Sequence, residues 1–541
     1  MASDTFQRIG NRDFTRSTVA FAWRSIDLIR RTPTRNFVIL VKGNAVGGTW
    51  SDNRYPGCAC DAWRGLYSFS FEQRPDWTRK YPGQEELLVM APHNDIPQDE
   101  YLTGVAENYG LYRYIRFSST VKEARWDGHY LQWKVKVAVV GAKESEYQDE
   151  YELTTDFLVS AVGQLNEPSY PNIPGLESFS GEMMHSARWD WRYDFQDKRI
   201  GVIGNGATAV QVIPELAKTA SNLTVYQRTP NWIIARNDRT VSALHKFLLS
   251  YIPPVQWCKR ALLMQLTECF HDAAMNRDSK LGQKILCWAQ SNMKSQFTDK
   301  PELWEVLTPG YPIGCKRLLA TDDYFPALNA EHVDLETRQI RQVTSTGIQT
   351  EDGAQRDFDL IVLATGFCSV EFLHHVRIYG ANGCSLESIW KEGVTAYCGV
   401  TVESPPNFGM LYGPNTNLGY TSVILMIEAQ SRCLSTLVGA VIQAKQKGQK
   451  LALQPRSDVV REYDDRIQER LARIKFADLG CRSWYKADDG RITNNWPGMA
   501  LEYQKEMSQV RWTDYHVQGS GQAALQKRKP TYIGCPWAMP P

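Results

Sequence analysis

The chain has 541 residues, 43% of them hydrophobic and 22% charged, with a formal net charge of +1. That length exceeds one ordinary core and implies two or three domains, while the near-neutral charge excludes the basic surface that nucleic acid would require. The 12 cysteines have no metal-ligand spacing; only Cys58 and Cys60 stand close together, and the rest are scattered as buried thiols usually are, so a reducing, cytoplasmic setting without a metal site is expected.

The first thirty residues alternate charged and apolar positions and contain no signal-peptide core. Ile9 and Gly10 resemble the end of a dinucleotide-binding strand, yet no Gly-x-Gly-x-x-Gly follows. Arg8, Arg12, Asp13 and Arg16 fill positions where a pyrophosphate would need bare backbone amides. Ser17 to Arg31 reads as an amphipathic helix with Ser17 as cap and Pro33 as stop, and Phe37 to Val41 as a buried strand. Next come Gly47, Gly48, Thr49 and Trp50, then Asn53 to Gly57, Asp61, Tyr67 to Phe71 and Tyr81 to Gln84, a run of tight turns around aromatic residues. Asp61 is either a turn residue or the partner of a buried cation. Two alternating runs between Arg113 and Val139 predict a hairpin. Asp156 to Gly163 predicts a strand, and Pro168 to Gly175 a linker.

Phe179 to Asp190 (FSGEMMHSARWD) reads as a loop and a short polar segment, with His185 and Trp189 able to share one helical face. Lys198 to Gly204 is a short apolar strand. It ends in Gly204-x-Gly206-x-x-Ala209 at the start of a helix, which is the dinucleotide fingerprint in its proper setting. The second strand of that unit, Leu223 to Gln227, ends at Arg228, followed by Thr229. An acid there favours NAD, whereas an arginine offers paired donors to a 2′-phosphate and favours NADP. Residues 237–305 predict a helical insertion. Its most membrane-like stretch, Ala243 to Leu266, is broken by His245, Lys246, Pro253, Pro254, Lys259 and Arg260, so a packed hairpin is expected and no transmembrane segment; an amphipathic contact with a membrane or a greasy substrate stays open. Lys316 and Arg317 form a basic pair after Cys315. Asp357 to Phe367 is a buried strand, and Leu411 to Ser422, including Asn415 and Thr416, opens a long helix whose N-terminus suits an anion. Trp484 sits in a late aromatic loop, and the tail beyond Gln518 predicts an irregular arm.

Phe179, Gly181, His185, Trp189 and Asp190 match, without a gap, the signature Phe-x-Gly-x-x-x-His-x-x-x-Trp-(Pro or Asp). Together with the glycine turn behind it, this segment resembles the class B flavoprotein monooxygenases, specifically the Baeyer-Villiger monooxygenases, and the resemblance runs from about Phe37 onward. It implies an α/β fold of two dinucleotide-binding, Rossmann-like domains, with an NADPH domain (171–358) inserted into an FAD domain (1–170 and 359–541) and the helical insertion in addition. NADPH would reduce FAD, and reaction with O2 would place one oxygen beside the carbonyl of a ketone, giving an ester or lactone. By the same resemblance Arg317 would steady the developing negative charge, modulated by Asp61, and His185 would organise the nicotinamide. Gly47, Gly48, Thr49, Trp50, Asp61, Tyr67, Asn415 and Thr416 would serve the flavin; Gly204, Gly206, Ala209, Arg228, Thr229, Lys316 and Trp484 the nicotinamide side.

The departure lies at the N-terminus, where the glycine turn is missing and Val41 stands in place of the family's ribose-binding acid. The substrate stays open among terpenoids, steroids, polyketides and simpler cyclic ketones, and oxygenation at nitrogen or sulfur is a neighbouring chemistry. The rival reading is a flavin-free descendant acting as an isomerase, cyclase or hydrolase, or a non-catalytic binding protein.

Overall fold

The computed structural model describes residues 16–20, 25–32, 34–88, 101–139, 149–373, 375–478, 480–481, 483–487, 489–526 and 528–534. The strands of its two main sheets are β1 (Arg16–Ala20), β2 (Phe37–Leu40), β3 (Ile115–Arg116), β4 (Ser119–Asp127), β5 (Gln132–Val139), β6 (Glu150–Ser160), β7 (Glu182–His185), β8 (Arg199–Ile203), β9 (Asn222–Tyr226), β10 (Val333–Glu336), β11 (Leu360–Leu363), β12 (Arg377–Tyr379) and β13 (Phe408–Met410). The helices that matter below are α1 (Ser25–Arg31), α2 (Ala209–Leu216), α3 (Ala243–Tyr251), α4 (Pro253–Met275), α5 (Lys280–Gln296) and α6 (Val423–Gln446).

The second sheet is the simpler. Its order is β10-β9-β8-β11-β7, and every pair is parallel. Parallel strands covered on both faces need continuous apolar runs, and Leu360, Ile361, Val362 and Leu363 are accordingly all buried. The first sheet runs β12-β4-β5-β6-β1-β2-β3, with β13 also paired to β6. Within it the hairpin β4–β5 and the pair β5–β6 are antiparallel, while β1 lies parallel between β6 and β2. The chain therefore builds β1 to β6 in one sheet, crosses to build β7 to β11 in the other, and returns with β12 and β13. Both are the doubly wound arrangement expected from the fingerprint.

Three expectations are corrected. The stretch beginning at Ser17 is not one helix: Arg16–Ala20 pairs with both neighbours as a strand, Val19 opposite Phe37 and Phe157, and only Ser25–Arg31 is helical. Sheet pairing on two sides overrides the weak helical periodicity of so short a run. No glycine occurs from residue 11 to residue 42, and so none between Ala20 and Ser25; residues 1–15 and 21–24 lie outside the described residues. Second, Glu182–His185 is an edge strand, Leu363 pairing with His185, so His185 and Trp189 do not share a helix. Third, the most membrane-like stretch is not 243–266, which was expected not to span, but α6, the one helix among the described residues long and apolar enough to cross a membrane. Most of α6 is buried in the protein's largest core, from Leu425 to Ala444.

The two domains are stitched together near Gly57. Tyr55 donates its hydroxyl to Gln211 Oε1 at 2.9 Å, and Gln211 Nε2 donates to the Ala59 carbonyl at 3.0 Å. Gly57 has φ +77°, and a Cβ there would meet the Gln211 carbonyl at 2.6 Å, so this approach of loop to α2 requires glycine.

Candidate active site

The geometry centres on a pair separated by 256 residues. Arg317 Nε donates to Asp61 Oδ2 at 2.6 Å and Nη2 to Oδ1 at 2.7 Å, a two-pronged ion pair that joins the second domain to the first. The fork fixes the guanidinium plane as well as its charge. Burial works against the Arg317 charge, but Asp61 outweighs it and holds the pKa above the ordinary arginine value. Of the two readings left open for Asp61, the structure takes the cation partner.

Three phenols share this environment. Tyr67 receives the Trp50 indole N–H on its hydroxyl at 3.2 Å, with the two rings edge to face. Tyr412 donates to Asn417 Oδ1 at 2.7 Å from a backbone with φ +59°. Burial raises the pKa of each of these two, and raises that of Tyr485 to about 12 although the charge of Arg317 opposes the rise. All three stay neutral donors at working pH. Tyr412 and Tyr485 were not singled out by sequence reasoning; they stand one residue after Leu411 and Trp484 in stretches that were, and only the fold shows that they face Arg317.

Gly47 and Gly48 form the turn before the short helix Thr49–Asp52, with φ +128° and +53°. A Cβ on Gly47 would meet Leu88, whereas nothing lies within 4 Å of one on Gly48. Backbone is bare there, as a flat ring packed against it would need.

At the second turn Gly204 has φ +116°, and a Cβ would strike the Ala364 carbonyl at 2.4 Å; Gly206 faces open space. Ala209, fully buried, starts α2. Asn205 Nδ2 donates to Gln227 Oε1 and to the Thr229 carbonyl, both at 2.8 Å, fixing the strand end that presents Arg228. Lys316 stacks its ammonium 4.6 Å from the Tyr311 ring centre, and its pKa is lowered by burial and then by the charge of Arg228. Two cations close enough to feel one another, with no carboxylate ion-paired to either among the described residues, are an arrangement that a dianionic phosphate would relieve.

The remaining predicted residues are placed elsewhere. His185 is 2% exposed and sits where the chain crosses between sheets, its ring 5.5 Å from Tyr170 and 6.1 Å from Phe367. Its Nδ1 accepts from the Ala187 amide at 3.1 Å while Nε2 completes no hydrogen bond. Burial lowers its pKa to about 4, against the opposing pull of the Gly366 backbone. Trp189 stacks on Phe195 at 5.3 Å inside the second core. Asn415 spends its side-chain donors on the Ile492 and Asn495 carbonyls, and Thr416 donates to Gly413; both brace the loop before α6. Trp484 is partly exposed and packs on Tyr485, ring centres 4.5 Å apart.

The cysteines also correct an expectation. Cys315 and Cys481, both 1% exposed, form a disulfide with Cα atoms 6.4 Å apart, so they are not isolated thiols, and the inference of a reducing compartment loses its premise. The bond ties the Lys316–Arg317 segment to the Trp484 loop across 166 residues.

A profile of the family described as flavin-binding monooxygenase-like matches residues 79–379. The chain is 58% identical to the FAD-binding monooxygenase ktnD of Aspergillus niger, over 99% of this chain and 87% of the relative, and 39% identical to a Baeyer-Villiger monooxygenase of Streptomyces coelicolor, over 90% and 89%. The chain belongs to the flavin-binding monooxygenases, on their Baeyer-Villiger branch. Solved structures agree. OTEMO in complex with FAD and NADP superposes with a TM-score of 0.78 at 26% identity, covering 93% of this chain and 99% of that one. Cyclohexanone monooxygenase bound to ε-caprolactone gives 0.77 at 25%, with the same coverage. The two Rossmann-type sheets are thus those of a Baeyer-Villiger-type flavoprotein.

Proposed function

We propose that this flavoprotein consumes NADPH and O2 to insert one oxygen next to the carbonyl of a ketone, giving an ester or lactone, and that its substrate is a terpenoid, polyketide or similar secondary metabolite. The observation that carries the reading is the two-pronged Arg317–Asp61 pair, set one residue from a lysine that shares its electrostatic field with Arg228. Gly47, Gly48, Thr49, Trp50 and Tyr67 would hold FAD from the first domain, and Gly204, Gly206, Ala209, Thr229, Arg228 and Lys316 would hold NADPH from the second. We take 1–170 with 359–541 as the flavin domain and 171–358 as the nicotinamide domain. FAD, when bound, supplies the redox chemistry. Arg317 contributes a fixed positive charge against negative charge that develops near it, and Asp61 keeps that guanidinium oriented. Buried neutral His185 organises the domain crossing and does not relay a proton. Partly exposed Trp484, braced on Tyr485, offers an aromatic wall that suits a bulky substrate.

Arg317→Ala tests this directly. Loss of a preorganised charge should lower kcat by about a hundredfold to a thousandfold, while NADPH affinity, measured separately, stays near wild type because Arg228 and Lys316 remain. Full turnover in the variant would remove the assignment. One observation favours the flavin-free alternative, the absence of glycine between residues 11 and 42. The visible spectrum of the purified chain decides: a yellow protein bleached by NADPH retains the monooxygenase reading, and a colourless one that converts substrate without NADPH replaces it.

A further inference from the structure

Helix α4 has a mixed inward face. It carries Arg260, Thr267 and Glu268, each under 8% exposed, beside the buried apolar residues Met264, Ala273 and Met275. Arg260 Nη1 donates to the Gly65 and Ser68 carbonyls at 2.6 and 3.0 Å, Thr267 bonds Thr421 at 3.2 Å, and Glu268 accepts from the Leu501 amide at 3.3 Å. The outward face carries Leu262, Leu266 and Phe270, at 60%, 42% and 40% exposure. Their four-residue spacing is the apolar stripe that a surface helix normally turns toward the core. Helix α3 repeats the pattern: Leu244, Phe247 and Tyr251 lie on one side of the helix at 68%, 55% and 73% exposure, and Leu249 is its only buried residue. Of the 20 large exposed hydrophobic side chains among the described residues, 12 fall between Leu244 and Trp288. A patch so concentrated marks a contact surface rather than scattered exposure.

Charge identifies what covers it. From Arg239 to Thr267 there is no Asp or Glu, while Arg239, Lys246 and Lys259 are present in a chain whose net charge is only +1. Asp76, the acid outside this run that feels Lys246, is already bound by Arg74 at 2.7 Å. A second copy of this chain meeting the patch symmetrically would set these like charges against one another. From Arg239 to Thr267 aromatic and aliphatic side chains at helical spacing stand beside lysine and arginine without acids; beyond that run Glu268 is buried, and the exposed Asp272 is held by Asn276 and Ser279. That pattern fits the interface of an anionic bilayer, where rings settle at headgroup depth and cations meet phosphate and carboxylate. We propose that helices α3 and α4 form a peripheral membrane-docking face that lies on anionic phospholipid without spanning it. This site is independent of the catalytic reading.

The test is sedimentation of the full-length protein with vesicles of phosphatidylcholine containing about one-third phosphatidylserine, against vesicles of phosphatidylcholine alone. The wild-type chain should partition onto the anionic vesicles, less so at high salt. The triple variant Leu244→Gln, Phe247→Gln, Tyr251→Gln should lose about tenfold or more of that partition. Its residues point outward, so its melting temperature should match wild type. If the triple variant melts early, Lys246→Glu carries the test through charge alone, with an expected loss of about fivefold. Equal binding to both vesicle types, binding that survives both variants, or no binding at all would overturn the proposal. A concentration-dependent dimer dispersed by the triple variant, without vesicle binding, would assign the face to a second copy instead.

Discussion

The molecule twice follows a central strand of a sheet with a helix, and the two connections differ in sequence. In the second domain β8 leads through Gly204 and Gly206 into α2, with a cation pair at the neighbouring strand end. In the first domain β1 sits at the equivalent central place, flanked by β6 and β2, and leads into α1, but the residues between are Phe21, Ala22, Trp23 and Arg24, and the next strand runs out at Val41 where an acid would meet a ribose. Sheet order and strand pairing therefore do not depend on the phosphate-binding turn. Topology is held by buried strands; nucleotide affinity is held by a few turn residues that can change beneath an intact fold.

The largest effect expected concerns the junction between these regions. His185 has a folded pKa of about 4 against an ordinary 6.5, so between those values the unfolded chain binds a proton that the folded chain refuses. Its contribution is complete above pH 6.5 and is lost as pH falls toward 4, by up to about 3 kcal/mol. Melting curves across that window should show the slope, and His185→Asn should flatten it; an unchanged slope would mean that other groups set the acid stability. Next, Gly204→Ala places a methyl 2.4 Å from the Ala364 carbonyl at φ +116°, which should weaken NADPH binding about a hundredfold, whereas Ala22→Val, in the sequence between β1 and α1, should leave it untouched. Equal loss from both would break the comparison. Arg228→Ala should cost NADPH affinity about tenfold to thirtyfold through the lost charge-assisted bond and spare NADH; titration of both nucleotides reads this. Smallest is the gain from repairing the first domain: Val41→Glu should tighten FAD about tenfold, seen by flavin fluorescence quenching, and no gain would show that the ribose is bound by other residues.

Much of this was legible in the sequence because it is local. The glycine turn at Gly204, the apolar β11 run and the 237–305 helices declare themselves within ten or twenty residues. The site was legible only through the family motif, since nothing in composition pairs Asp61 with Arg317 across 256 residues. Cys315 and Cys481 were missed for the same reason: their partnership is a property of the fold, with no spacing rule to betray it. Arg16–Ala20 was misread because five residues carry too little periodicity to outweigh the helix that follows, while its two-sided pairing is invisible along the chain. Helix α4 misled differently. Its apolar stripe is plain in the sequence, but a stripe says only that one face differs from the other, and which face turns inward was decided by carbonyls of the Gly65–Ser68 loop that claim Arg260.

The covalent link between Cys315 and Cys481 makes the catalytic segment and the aromatic loop a single moving part. With their Cα atoms held 6.4 Å apart, the backbone beside Arg317 and the backbone leading to Trp484 are constrained to travel together. A reducing agent would therefore release one segment from the other without changing the Arg317–Asp61 pair itself.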